Sequence, residues 1–322
     1  MIKLFILLFF ITTIVKAQFP GPVSSNGTTA IHKDSNIFVN WATTCLVTRG
    51  YQDIANTSNG YATAGNDTNG TKKASINSIV SLGDAGSAIL TFQSPITNGV
   101  GFDFAVFENS FNDVFLELAF VEVSSDGFNY FRFPASSNTQ TLTQIGPFDN
   151  TGDATKLNNL AGKYRANYGT PFDLQEMAAH VGLDIDAITH VKIIDVVGAI
   201  NVPYATYDNN NNVINDPYPT AFGSGGFDLD AVGVINQLPV GVKEKQNIDS
   251  SINIYPNPTY DFIDIYSNNL VIKEIYLTDI NGRLIIQSNQ SRLLLGNVES
   301  GIYLLKIINN KGETITKKII KN

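Results

Sequence analysis

Short runs of alternating apolar and polar residues, separated by Asn-Gly, Asp-Gly and Gly-rich turns, recur along this chain and restrict it to antiparallel β-structure. Residues 88–92 follow a turn at Gly83-Asp84-Ala85-Gly86, and residues 101–108 follow Thr97-Asn98-Gly99. Residues 115–124 end at Ser125-Asp126-Gly127, and 130–133, 189–197 and 227–235 complete the set. Strands of this length and spacing predict an all-β fold: a large antiparallel, jelly-roll-like β-sandwich over residues 18–237. One segment breaks the pattern. Thr170-Pro171-Phe172-Asp173, followed by Leu174, Met177, Ala178 and Val181 at helical spacing, predicts one short helix. It lies in an excursion, 134–186, that reads as a long loop suited to binding.

The two ends read differently. Lys3, a mostly apolar run from Leu4 to Val15, and Val15-Lys16-Ala17 form a secretory leader over residues 1–17, with cleavage expected between Ala17 and Gln18. The apolar run is shorter than the roughly 20 residues that span a bilayer, and no later stretch approaches that length. No transmembrane segment is expected, and Gln18 in place of cysteine argues against a lipoprotein anchor. Residues 252–322 carry Tyr255-Pro256-Asn257-Pro258, then Asp279-Ile280-Asn281-Gly282-Arg283, Gly301-Ile302-Tyr303 and a closing Lys317-Lys318-Ile319-Ile320. In order and spacing these pieces resemble the type A C-terminal sorting domain of the Bacteroidetes type IX secretion system, a small β-sandwich. The resemblance implies recognition by the secretion machinery, export across the outer membrane and removal of the tail, with attachment to surface lipopolysaccharide or release.

Charge separates the same two parts. Residues 18–251 hold 11 Lys/Arg against 23 Asp/Glu, whereas residues 252–322 hold eight against six. A polar stretch at 238–251 is the expected linker. The formal net charge of −8 argues against a nucleic-acid partner. The one cysteine, Cys45, excludes an internal disulfide framework.

The functional residues must lie in the larger part, whose ending, 225–235, is similar to the last strand of jelly-roll carbohydrate-binding and galactose-binding-like modules. Acids fall within its strands: Asp103, Glu108, Glu117, Glu122, Asp195, Asp228 and Asp230. Period two places Asp228 and Asp230 on one face with Val232 and Val234, where unpaired charge is costly. With Asp208 and Asp216 from an Asn-rich loop they form a candidate calcium set; the alternative is that strand acids face solvent and the loop merely turns. Aromatic residues in polar loops, Tyr164, Tyr168, Tyr207 and Tyr218, together with Arg165, are the candidate ligand contacts. Nucleophile-elbow, HExxH, phosphate-loop and dinucleotide motifs are absent. These features predict a secreted, surface-displayed binding protein for a glycan or other nutrient. The alternatives are a surface glycoside hydrolase using paired acids such as Glu108 and Glu122, or an adhesin.

Overall fold

A computed structural model of the chain describes residues 19–75, 77–238, 252–267, 271–310, 312 and 314–322. The expected leader, with its junction at Ala17 and Gln18, and nearly all of the expected linker lie outside these residues. The chain divides into two compact units, Met1–Val240 and Gly241–Asn322.

The first unit contains β1 (Ile31–His32), β2 (Asn40–Trp41), β3 (Thr44–Thr48), β4 (Val80–Ser81), β5 (Ser87–Ile96), β6 (Phe104–Glu108), β7 (Ala119–Ser124) and β8 (Phe131–Arg132). It continues with β9 (Ser136–Ser137), β10 (Leu157–Asn158), β11 (Tyr168–Phe172), β12 (Ile188–Asp195) and β13 (Asp228–Val234). One sheet runs β1-β11-β6-β13-β2, with β4 also on β13, and the other runs β3-β5-β12-β7-β8. Every pairing within them is antiparallel. Phe104, Val106, Leu229, Val232 and Val234 of the first sheet meet Ala88, Leu90, Val121, Val123, Val191 and Ile193 of the second in one apolar core. Phe172 stacks on Phe104 at 5.3 Å between ring centroids and meets Phe133 edge-on at 5.0 Å, which fills the centre.

Both central strands of the first sheet, β6 and β13, are buried along their whole length. Their outer face is closed by Ala74, Phe38 and Trp41 against Ala105, Phe107 and Ala231. Double burial explains why 101–108 reads as nearly continuous apolar sequence rather than as alternation. The second sheet's outer face carries its own cluster of Leu116, Leu118, Phe120, Leu157, Leu160, Val196 and Ile214.

Two expectations are corrected. Residues 170–172 belong to strand β11, paired to β6 through Thr170↔Val106 and Phe172↔Phe104. Burial of the Phe172 ring against Phe104 outweighs the local capping signal. Asp173 caps instead, accepting the Gln175 N–H at 2.9 Å, and the helix is a single 3-10 turn, Leu174–Met177. Leu174 and Met177 are both buried three residues apart, the period of a 3-10 turn, while Val181 is 96% exposed. The 134–186 excursion is accordingly not one loop, because β9, β10 and β11 lie within it.

The second correction concerns β13. Its register on β6 slips between Leu229 and Ala231, a bulge at Asp230. Leu229, Val232 and Val234 face the main core, whereas Ala231 faces the outer cluster. Simple alternation through Asp228, Asp230, Val232 and Val234 is therefore broken at the bulge.

The second unit contains β14 (Ile252–Tyr255), β15 (Phe262–Ser267), β16 (Ile272–Asp279), β17 (Leu284–Ser288), β18 (Arg292–Leu294), β19 (Gly301–Asn309) and β20 (Thr314–Lys321). Sheets β14-β15-β18 and β17-β16-β19-β20 enclose a core that includes Ile263, Ile265, Ile275, Leu277, Leu305, Ile307, Ile315 and Ile319. Gly282 turns the β16–β17 connection at φ +84°, and the Asp279 carboxylate accepts the N–H groups of Asn281 and Arg283. Asn257 ties the segment after β14 to the last strand: its Nδ2 donates to the Lys318 carbonyl and its Oδ1 accepts the Ile320 N–H, both at 2.8 Å. Tyr255 stacks on Tyr266, with centroids 4.6 Å apart and planes 5° from parallel.

Candidate functional site

Strand direction brings one set of connections to a common end of the sandwich. Strands β6 and β12 run toward it and end at Glu108 and Asp195, while β5, β7 and β13 start there. Asp228 is the first residue of β13, and Asp84, Glu117 and Asp216 lie in the connections outside the strand ends. Six carboxyl groups thus meet where the two sheets end. Asp84, Glu108, Asp195, Asp216 and Asp228 are all buried.

Backbone donors hold most of these acids. Asp195 accepts the Phe227 N–H at 2.7 Å and the Ala85 N–H at 3.0 Å, joining the chain before β13 to the chain before β5. Asp216 accepts the Leu118 N–H at 2.9 Å, and Asp84 accepts the Ile54 N–H at 2.8 Å. Asp228 accepts the Ser81 hydroxyl. Glu108 accepts the Ser110 N–H at 2.7 Å through Oε2, but its buried Oε1 has no hydrogen-bond partner. None of the ion pairs found among the described residues involves these six groups. The neighbouring cation, Arg49, donates to the carbonyls of Ala64, Gly65 and Ser81, and its charge favours the ionised form of Asp228.

Burial therefore dominates their ionisation. Glu108 is pushed well above the usual carboxylate range by burial, then by Glu117 and Asp228. Glu117 rises for the same reason, with Asp228 and Asp195 as its charged neighbours. Burial likewise raises Asp195 and Asp216, while Asp84 is pushed up to about 6 and Asp228 to about 7.

Loops laid over this end carry exposed rings. Tyr51 and Tyr61 stack at 4.7 Å with planes 18° apart, and Tyr61 is 53% exposed. Phe148, 72% exposed, lies 5.4 Å from Phe222, which is 40% exposed. The three loops are tied together. The Gly223 carbonyl accepts the Thr63 and Ala64 N–H groups, the Tyr218 N–H donates to the Ile145 carbonyl, and Tyr51 bridges Asp84. The Tyr218 phenol is pushed up to about 12, first by burial and then by the nearby Asp53 and Asp84 charges. Gln144 pins the long 198–225 connection by donating to the Gly198 and Asp216 carbonyls and to Asn215 Oδ1.

The residues singled out from sequence distribute unevenly over this arrangement. Tyr218 lies within it. Tyr207 is 45% exposed on a small hairpin, bridged to Val213, of the same long connection. Tyr164 is 1% exposed and shares a 2.8 Å hydrogen bond with the Thr29 hydroxyl, so it is an interior residue rather than a surface contact. Arg165 pairs with Asp113 at 3.2 Å and lies 5.3 Å over the Tyr168 ring, which packs beside His32 at the start of β11. Of the four acids proposed as a metal set, Asp216 and Asp228 belong to the buried cluster and share Asp195 as neighbour. Asp208 does not: its oxygens accept N–H donors from Ser137, Asn210 and Asn212 and close the Asn-rich turn. Asp230, displaced by the bulge, accepts the Ser75 N–H instead. Among the described residues no group of three or more His, Cys, Asp or Glu side chains is set to hold a metal ion as placed. Glu108 and Glu122 stand in different sheets, and Glu122 is engaged by Arg132 at 2.9 Å and Lys192 at 3.6 Å. Tyr51, Tyr61, Phe148 and Phe222 were not singled out from sequence. Tyr51 and Tyr61 sit in polar loop sequence, the same signal that singled out Tyr164.

Residues 253–322 match the family model described as the secretion system C-terminal sorting domain. No curated protein matches the chain. Among solved structures, a β-glucuronidase from Ruminococcus gnavus bound to C6-substituted uronic isofagomine is similar at 11% identity and a TM-score of 0.21, over 88% of this chain and 44% of that one. The BSP domain of a biofilm associated protein is similar at 9% identity and a TM-score of 0.19, over 74% of this chain and 48% of that one. The chain spans less than half the length of these proteins, and at such TM-scores no shared fold is established. No helix among the described residues is long and apolar enough to cross a membrane. The C-terminal unit, with Tyr255, Pro256, Asn257, Pro258, Gly282, Gly301, Lys317 and Lys318 at its motif positions, is a type IX secretion sorting domain, and it marks the protein as secreted to the outer cell surface.

Proposed function

We propose that the protein is a surface-displayed binding protein that captures a glycan or comparable nutrient on the aromatic loops at the acidic end of its sandwich. The observation that carries this reading is the grouping of three exposed rings, Tyr61, Phe148 and Phe222, with the half-buried Tyr51 stacked on Tyr61, on loops cross-tied to one another. A flat ring edged by hydroxyl and carboxylate groups, as Tyr218 is by Asp53, matches a sugar's apolar CH face and hydroxyl rim. The tail directs the protein to the secretion machinery and is then removed, with the protein either attached to surface lipopolysaccharide or released.

The test incubates the secreted protein with a polysaccharide panel, following retention and new reducing ends together. Retention without new ends, weakened at least about tenfold in Tyr61→Ala and Phe222→Ala, supports binding on this face. New reducing ends point to a hydrolase instead. A mass tag on Asn322 that persists on the surface protein overturns tail removal.

A further inference from the structure

The loops at the ring-bearing end of the first unit carry acids but no cations of their own. Residues 50–71, 109–118, 139–155 and 196–227 contain no lysine, arginine or histidine. Arg49, just before the first of these loops, donates to carbonyls, and Arg165, at the margin, is paired with Asp113. Elsewhere on the unit acids are met by cations: Lys33 and Lys73 pair with Asp34, and Arg132 and Lys192 pair with Glu122.

Each ring pair also has a carboxylate on its own loop. Asp53 follows Tyr51 by two residues and accepts the Ala55 N–H at 2.9 Å, while the Ile54 N–H between them fastens the same turn to Asp84 at 2.8 Å. Asp149 directly follows Phe148, is exposed, and accepts the Gly146 N–H at 2.7 Å. Neither Asp53 nor Asp149 forms an ion pair with any described residue. The two ring pairs are joined at Gly223, next to Phe222, whose carbonyl accepts the N–H groups of Thr63 and Ala64, two and three residues after Tyr61. The face of an aromatic ring is the negative side of its quadrupole, and a carboxylate beside it adds a full charge, so the combination attracts a cation. A carboxylate or sulfate on a ligand would lose hydration here with no cation to receive it.

We infer that this face selects its glycan by charge, taking an oligosaccharide with free, protonated amino groups over a neutral or acidic one. The inference rests on the glycan reading proposed above and narrows it. The apolar CH face of a sugar lies on a ring, and the ammonium group turns to the carboxylate of the same loop, Asp53 or Asp149. Because both carboxylates reach solvent, the preference weakens as salt rises.

The test titrates the secreted protein by calorimetry at about pH 6.5, where the amines are protonated, with oligomers of equal length made of glucosamine, N-acetylglucosamine or galacturonate. The glucosamine oligomer is expected to bind at least about tenfold more tightly than the acetylated one, and the galacturonate oligomer to give no heat. Asp53→Asn and Asp149→Asn should each weaken the glucosamine oligomer about two- to fivefold and leave the acetylated one unchanged. Asp186→Asn, an exposed acid just before β12 at the opposite end, should change neither. Equal or tighter binding of the acetylated or acidic oligomer overturns charge selection. So does a preference for glucosamine that survives both Asp53→Asn and Asp149→Asn, or that falls as much in Asp186→Asn, which marks general attraction of a polycation to an acidic protein. If the binding seen in any of these cases is lost in Tyr61→Ala, the ring-based reading stands and charge selection alone fails; binding indifferent to Tyr61→Ala removes both. No heat with any of the three oligomers also overturns charge selection, and the polysaccharide panel then decides the glycan reading separately.

Discussion

Asp84 provides a direct measure of how the buried acids shape the stability of the first unit. Its carboxylate is 2% exposed, accepts the Ile54 N–H at 2.8 Å, and is pushed from 3.8 to about 6, chiefly by burial, with Asp53 adding to the rise and the Ile54 hydrogen bond opposing it. Below pH 3.8 the folded and unfolded forms both hold the proton, so the group is neutral to stability changes there. Between pH 3.8 and about 6 the folded form still holds a proton that the unfolded form has released, so stability falls as pH rises. Two pH units at about 1.4 kcal/mol each give a loss of about 3 kcal/mol, complete above pH 6. Asp84→Asn removes the ionisation and keeps an oxygen for the Ile54 N–H. Relative to wild type it should therefore gain about 3 kcal/mol between pH 4 and pH 7.5. The assay is urea unfolding in EDTA, read by Trp41 fluorescence, with both proteins measured at each pH. A difference between the two that stays flat from pH 4 to 7.5, or that moves in favour of wild type, would refute the argument that desolvation governs this group.

Further expectations follow from individual contacts. Tyr164→Phe should cost about 1 kcal/mol of stability by removing the hydrogen bond to Thr29, and should leave ligand retention unchanged. Phe172→Ala should destabilise the first unit by about 3–5 kcal/mol in the same unfolding assay, since it empties the stack on Phe104 and Phe133. Asn257→Ala should speed amide exchange at Ile320 about tenfold, because both bonds from its side chain to β20 are lost. Gly198→Ala should give little folded protein on expression, since φ is +75° and a Cβ would stand 1.7 Å from Asp216 Oδ1.

The elements that could be read from sequence are those whose side chains alternate cleanly. In β5 and β12, Ala88, Leu90, Val191 and Ile193 point to one core, and the opposite positions are half-exposed. In the tail, Ile263 with Ile265, and Leu305 with Ile307, do the same. Reading was harder where both faces are covered, as in β6, because Ala105 and Phe107 are as buried as Phe104 and Val106. It failed where a distant partner overrode a local signal. Pro171 and Asp173 mark a helix start by the usual rules, yet Phe172 finds Phe104 across the sheet. Tyr164 has the Gly- and Lys-rich setting of an exposed loop ring but packs inside against Thr29.

Alternation, turn pairs and the four tail motifs determined the β-class, the division into an acidic part and a sorting tail, and the surface destination. These are local properties, carried by residues within a few positions of one another. Tertiary structure alone decided which acids meet. Glu108, Glu117, Asp195, Asp216 and Asp228 are spread over more than 100 residues of chain and come together only because five strands begin or end at one edge of the sandwich. The bulge at Asp230 removes a neighbour that period two had placed beside Asp228, since one extra residue in a strand turns every later side chain to the opposite face.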